Sequence, residues 1–138
     1  MDEETVREVI REYFRKRNQE FTEEHGAGPD FLKRGKAVEV KGSGFNKSAT
    51  IEQLTRYIYK YAGVEFALPI WDLTFDLIYG IRGIERAASS RALTEKKEIR
   101  IYLVEQVDDA TFGVESFDSA QELTKKLDST LDSICYLS

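Results

Sequence analysis

The stretch Val64 to Trp71, VEFALPIW, is apolar at nearly every position. That is the pattern of a strand covered on both faces rather than one. Segments of a different period flank it. Residues 49–62 place Ile51, Leu54, Ile58 and Tyr61 at helical spacing, with Thr50 as the expected N-cap and Gly63 as the stop. Residues 73–88 repeat the pattern through Leu73, Leu77, Ile81 and Ile84, although Gly80 and Gly83 weaken it. A doubly covered strand between two amphipathic helices requires layers on both sides of a sheet, which restricts the chain to the α/β and α+β classes.

The remaining segments fill in that frame. Residues 3–17 predict a helix with Val6, Val9, Ile10, Tyr13 and Phe14 as its apolar stripe. Residues 18–25 are polar, with room for a short strand, and Gly26, Gly28 and Pro29 mark a break. From Asp30 to Ser43 the pattern is a hairpin. Phe31-Leu32 form one strand, Lys33 to Lys36 the turn, and Ala37 to Lys41 the second strand, closed by Gly42-Ser43-Gly44. In that second strand Val38 and Val40 face one side, and Ala37, Glu39 and Lys41 the other. Strands follow at 99–107 and 111–117, joined by Asp108-Asp109-Ala110. A last helix from about Asp118 buries Leu123, Leu127, Leu131 and Ile134. Trp71, Tyr79 and Tyr102 are expected in the core.

The 138 residues fit a single domain, 1–138. At 41% hydrophobic and 33% charged, the composition excludes a disordered chain. No apolar run approaches the roughly 20 residues of a membrane span, so no membrane partner is expected. The acidic, helical start MDEETVREVI is unlike a secretory signal, and the single Cys135 has no internal partner, so a cytoplasmic location is expected. Net charge is −5, but it is unevenly spread: twelve Lys/Arg against eleven Asp/Glu in residues 1–60, and eight against fourteen in 61–138. A polyanion would therefore meet the N-terminal half, where Arg11, Arg15, Lys33 and Arg34, with Lys47 in the Gly/Ser-rich loop, are the candidate contacts.

The hairpin also carries the candidate chemistry. Asp30 opens it, and the one-residue gap between Glu39 and Lys41 puts both on one face of the second strand. Two carboxylates from adjacent strands, with the Val40 carbonyl between them, supply the oxygen ligands a hard cation such as Mg²⁺ prefers. A lysine beside them can hold a phosphate or help to deprotonate water. Read alone, the triplet Glu-Val-Lys is most often a surface ion pair. Other chemistries are absent. One histidine, His25 in a loop, and one distant cysteine make no zinc site and no Ser/His/Asp triad. The segment from Gly42 to Ser48 lacks P-loop spacing. Asp72 and Asp76 suit a solvated helix start.

Gly28-Pro29-Asp30 followed by Glu39-Val40-Lys41-Gly42 resembles the PD-(D/E)xK signature of the restriction-endonuclease-like nuclease superfamily. Gln53 and Tyr57, at i and i+4 on the next helix, resemble the QxxxY element of its RecB-like members. The resemblance covers residues 3–71 and implies an αβββαβ core, a mixed sheet flanked by helices, with residues 72–138 adding C-terminal strands and a helix. It implies a nuclease that hydrolyses DNA phosphodiesters with Mg²⁺ or Mn²⁺, with Asp30 and Glu39 holding metal, Lys41 serving the attacking water, and Gln53 and Tyr57 supporting the site. Family members often add an acidic metal ligand from the first helix, for which Glu3 is the candidate. The alternatives are a Holliday-junction resolvase-type homodimer and a non-catalytic nucleic-acid- or protein-binding domain on the same fold.

Overall fold

A computed structural model describes residues 1–90 and 95–137, with side chains described through Leu131. Its elements are α1 (Glu3–Lys16), β1 (Thr22–Glu23), β2 (Phe31–Lys33), β3 (Lys36–Val40), α2 (Lys47–Lys60), β4 (Gly63–Pro69), a 3-10 turn (Ile70–Asp72), α3 (Phe75–Ala88), β5 (Glu98–Gln106), β6 (Phe112–Phe117) and α4 (Ala120–Leu137). The strands form one six-stranded sheet in sequence order. Pairing is antiparallel through β1, β2 and β3, parallel from β3 to β4 to β5, and antiparallel again between β5 and β6.

Two apolar clusters cover the sheet. On one face Val6, Ile10 and Phe14 of α1 pack on Phe31, Val38, Val40, Ala67 and Tyr102. On the other, Leu54 and Ile58 of α2, the inner side of α3, and Leu123 and Leu127 of α4 pack on Ala37, Val64, Phe66, Leu68 and Leu103. Val64 to Pro69 is buried throughout, as the apolar run requires. Alternation along β3 and β4 sends successive side chains into opposite clusters. No helix among the described residues is long and apolar enough to cross a membrane.

Three local expectations are corrected. Lys33 and Lys36 are paired strand residues, and the turn is Arg34-Gly35 alone. Both turn residues have positive φ, 52° and 79°, as a two-residue type I′ hairpin turn demands. The cap of α2 is Asn46, whose side chain accepts from the Ala49 N–H at 3.0 Å. Thr50 lies inside the helix, buried, with its hydroxyl donating to the Asn46 carbonyl at 2.9 Å. Tyr102 is in the core, but Trp71 and Tyr79 are 70% and 72% exposed: Trp71 lies in the 3-10 turn after β4 ends at Pro69, and Tyr79 on the outer side of α3. Leu131 is 41% exposed, and the side chain of Ile134 lies outside the described residues.

Candidate functional site

The tight hairpin turn sets the register Phe31↔Val38, Leu32↔Ala37, Lys33↔Lys36. Asp30, just before β2, then falls opposite the end of β3, and its Oδ2 accepts the Val40 N–H at 2.8 Å. Val38 and Val40 point toward α1 and Ala37 toward α2, so Glu39 projects to the α2 side, only 3% exposed. Lys41 follows β3, its N–H donating to the Ala67 carbonyl at 3.0 Å. The next residue, Gly42, passes against the start of α1, where any Cβ would lie 2.3 Å from the Glu3 nitrogen. The residues before and after Lys41 are thus held on both sides.

Asp30 and Glu39 interact directly. Burial, a hydrogen bond to Asp30 and the Asp30 charge together push the Glu39 pKa from 4.5 to about 9, with Lys41 pulling it down and Glu3 adding slightly to the rise. At neutral pH the buried Glu39 carboxyl therefore keeps its proton. Two cations flank the pair. Arg7 of α1 donates to Asp30 Oδ1 in a close ion pair. The Lys41 side chain makes no hydrogen bond or ion pair among the described residues, and its charge acts on Glu39.

The α2 side closes the site. Tyr57 is 8% exposed, and Gln53 Nε2 donates to its hydroxyl at 2.8 Å. Burial, then the charge of Glu39, raises the Tyr57 pKa, which places the phenol within the field of the carboxyl pair. Glu3 sits at the rim, its side chain 49% exposed and 3.9 Å from Arg7. Beside Asp30 a cleft of about 350 Å³ is lined by Arg7, Glu23, His25 and Pro29, with His25 itself exposed.

Asp30, Glu39, Lys41, Gln53 and Tyr57 are thus brought together at the C-terminal ends of the parallel strands β3 and β4, where ligands of α/β sheets characteristically bind. Arg7 is the residue the sequence reading missed; its position on the first helix, one turn after Glu3, was the available signal. The expected phosphate contacts divide. Lys33 is corrected outright: it is 4% exposed under α1, bonded to Glu65 at 2.8 Å and to the Tyr102 hydroxyl at 3.1 Å, and no phosphate reaches it. Arg11 is committed to Glu23 through two hydrogen bonds of 2.7 and 3.0 Å. Arg15 is exposed but paired with Glu12 at 3.1 Å. Arg34 and Lys47 make no side-chain hydrogen bond or ion pair among the described residues.

Among the described residues no group of three or more His, Cys, Asp or Glu side chains converges as a metal site. The donor set is instead two carboxylates, hard oxygen ligands that fit Mg²⁺ or Mn²⁺ once backbone carbonyl or water completes the shell. The chain matches no family model, and comparison with curated proteins and with solved structures gave no match.

Proposed function

We propose that this chain is a metal-dependent nuclease with a restriction-endonuclease-like core, hydrolysing DNA phosphodiester bonds. The observation that carries the reading is the Asp30–Glu39 pair: a buried glutamic acid beside a half-buried aspartate at the hairpin, with Lys41 just beyond Glu39. An arrangement that holds two acids together against their repulsion is what a divalent cation stabilises and an ordinary ion pair does not. The element order α1, β1, β2, β3, α2, β4 agrees with the core the resemblance implies.

Asp30 and Glu39 would hold Mg²⁺ or Mn²⁺, with the Val40 carbonyl as a neighbouring donor. The bound ion would polarise the phosphoryl oxygen and lower the pKa of a water. Lys41 positions the attacking water or balances the phosphate charge as the bond breaks. Tyr57, fixed by Gln53, orients the Glu39 carboxylate from the helix side. Arg7, paired with Asp30, would be a second cation beside the phosphate.

The test is cleavage of labelled single-stranded, duplex and branched DNA with Mg²⁺, Mn²⁺ or EDTA, using wild type, Glu39→Gln and Lys41→Ala. Metal-dependent cutting lost in both folded variants supports the reading. Cutting that survives in both, or none with either metal from folded wild type, overturns it.

A further inference from the structure

The end of the sheet that carries the carboxyl pair also carries aromatic rings with no place in the core. Trp71, Phe75 and Tyr79 are 70%, 51% and 72% exposed. At about 100° per residue, Phe75, Tyr79, Arg82 and Arg86 of α3 fall within about 60° of one another, a single stripe roughly 16 Å long. All four are exposed, while the opposite side of the helix buries Leu77, Ile78, Ile81 and Ile84. Arg82 and Arg86 make no ion pair or hydrogen bond among the described residues. Arg7, Arg11, Arg15 and Arg100, by contrast, are each paired with a carboxylate.

The stripe begins beside the candidate site. The Gly44 N–H donates to the Asp72 carboxylate at 3.0 Å, tying the loop that follows Lys41 to the turn that holds Trp71. Phe45 of that loop stacks edge-on against Phe66, the β4 residue opposite Glu39. Rings at the site end and free guanidinium groups farther along make a surface for an extended polyanion that has flat apolar faces to offer.

We propose that single-stranded nucleic acid, DNA on the reading above, lies along this face, its unpaired bases stacking on Trp71, Phe75 and Tyr79 and its phosphates meeting Arg82 and Arg86. The proposal rests on the nuclease reading and narrows it to substrates with an unpaired strand leading to the site. Exposed aromatic rings accept the face of any base, so binding tolerates sequence. A paired duplex keeps those faces inside its own stack. Asp76 lies about 100° from Phe75 around the helix, beside the stripe rather than on it. A second copy of this chain is the rival occupant, but its stripe would bring the same two positive charges.

Trp71 is the sole tryptophan, so its fluorescence reports stacking directly. Glu39→Gln protein, without metal and in EDTA, is titrated with oligo-dT, with an abasic deoxyribose-phosphate oligomer of equal length and with a blunt duplex. The expected result is saturable quenching by oligo-dT, with at least tenfold weaker binding of the other two. Phe75→Ala/Tyr79→Ala, which keeps the reporter and changes exposed residues only, should weaken oligo-dT at least tenfold. Arg82→Ala/Arg86→Ala should weaken it and flatten its salt dependence. Equal affinity for the abasic oligomer, or unchanged affinity in the ring variant, overturns the proposal. Sedimentation of the ring variant as a monomer where the parent is a dimer, with strand affinity unchanged, assigns the rings to self-association. Because binding is read without metal, it is separable from the chemistry. Wild type that cuts single strands no better than its ring variant sinks the stripe alone, and strand binding without any cutting sinks the nuclease reading alone.

Discussion

Two charged clusters are buried in this small molecule, and they are built on opposite principles. Under α1, Lys33 and Glu65 form an ion pair at 2.8 Å, with the Tyr102 hydroxyl donating to Glu65 at 2.6 Å. Burial lowers the Lys33 pKa while Glu65 pulls it back up. The cluster contains its own counter-charge and is sealed from solvent. At the end of β3, Asp30 and Glu39 are two neighbouring acids, and burial together with Asp30 keeps the proton on Glu39. The first cluster carries its own counter-charge, although Glu65 Oε2 is buried without a hydrogen-bond partner. The second sets a buried glutamic acid beside an aspartate and a cleft, the arrangement that the proposed function would use to take up a cation.

That contrast is broken or sharpened most strongly by activity. Glu39→Gln should abolish metal-dependent cleavage by about a thousandfold or more, equivalent to several kcal/mol of transition-state stabilisation, whereas Lys33→Met, assayed below its melting range, should leave cleavage within a few-fold of wild type. Stability should show the reverse order. Lys33→Met leaves Glu65 buried without its cation and should cost about 3–5 kcal/mol in urea unfolding, with Lys33→Met/Glu65→Leu recovering much of the loss. A double variant as unstable as the single one would refute a self-compensating pair.

Glu39→Gln should instead stabilise the metal-free protein, in a pH-dependent way. The folded pKa of about 9 lies above the unfolded value of 4.5. Below pH 4.5 both states hold the proton and Glu39 has no effect. Above it only the unfolded state releases the proton, so wild-type stability falls relative to the variant as pH rises toward 9. The gap at pH 7 should be about 3 kcal/mol, read as the difference in urea unfolding between the two proteins; a gap that does not grow between pH 4.5 and 9 would contradict the proton retained on Glu39. The smallest effect is expected of Arg7→Gln. Freed of its guanidinium, Asp30 should bind Mn²⁺ several-fold more tightly by calorimetry, and a weaker Mn²⁺ affinity would mean that Arg7 supports the metal-free geometry instead of competing with the ion.

Much of this was legible in the chain. The order of elements followed from patterning, because the unbroken apolar run from Val64 stands out sharply from the helical spacing of Ile51, Leu54 and Ile58. The facing of Glu39 followed from alternation with Val38 and Val40. The misreadings share a cause: local polarity does not reveal what another segment covers. Lys33 sits in the polar run Lys-Arg-Gly-Lys and reads as turn, yet Phe14 of α1 closes over it, with the Lys33 Nζ 4.8 Å from the ring centroid. Thr50 resembles a cap because its hydroxyl does bond backbone, but to the carbonyl four residues behind it. Trp71 and Tyr79 read as core because large rings usually are, but the exposure of Trp71 depends on where β4 stops and that of Tyr79 on which side of α3 meets the sheet.

The Arg34-Gly35 turn has a consequence for how this chain tolerates change. Side chains along β3 alternate, so lengthening that turn by one residue would rotate the strand half a period and send the glutamate into the hydrocarbon under the first helix while a valine took its place. The connection at 108–110 is an exposed turn, so insertions that leave the β5–β6 register intact should be absorbed there. Reading-frame-preserving insertions scattered through the gene would thus distinguish a spacer from a ruler, and the two residues at the hairpin tip act as the ruler.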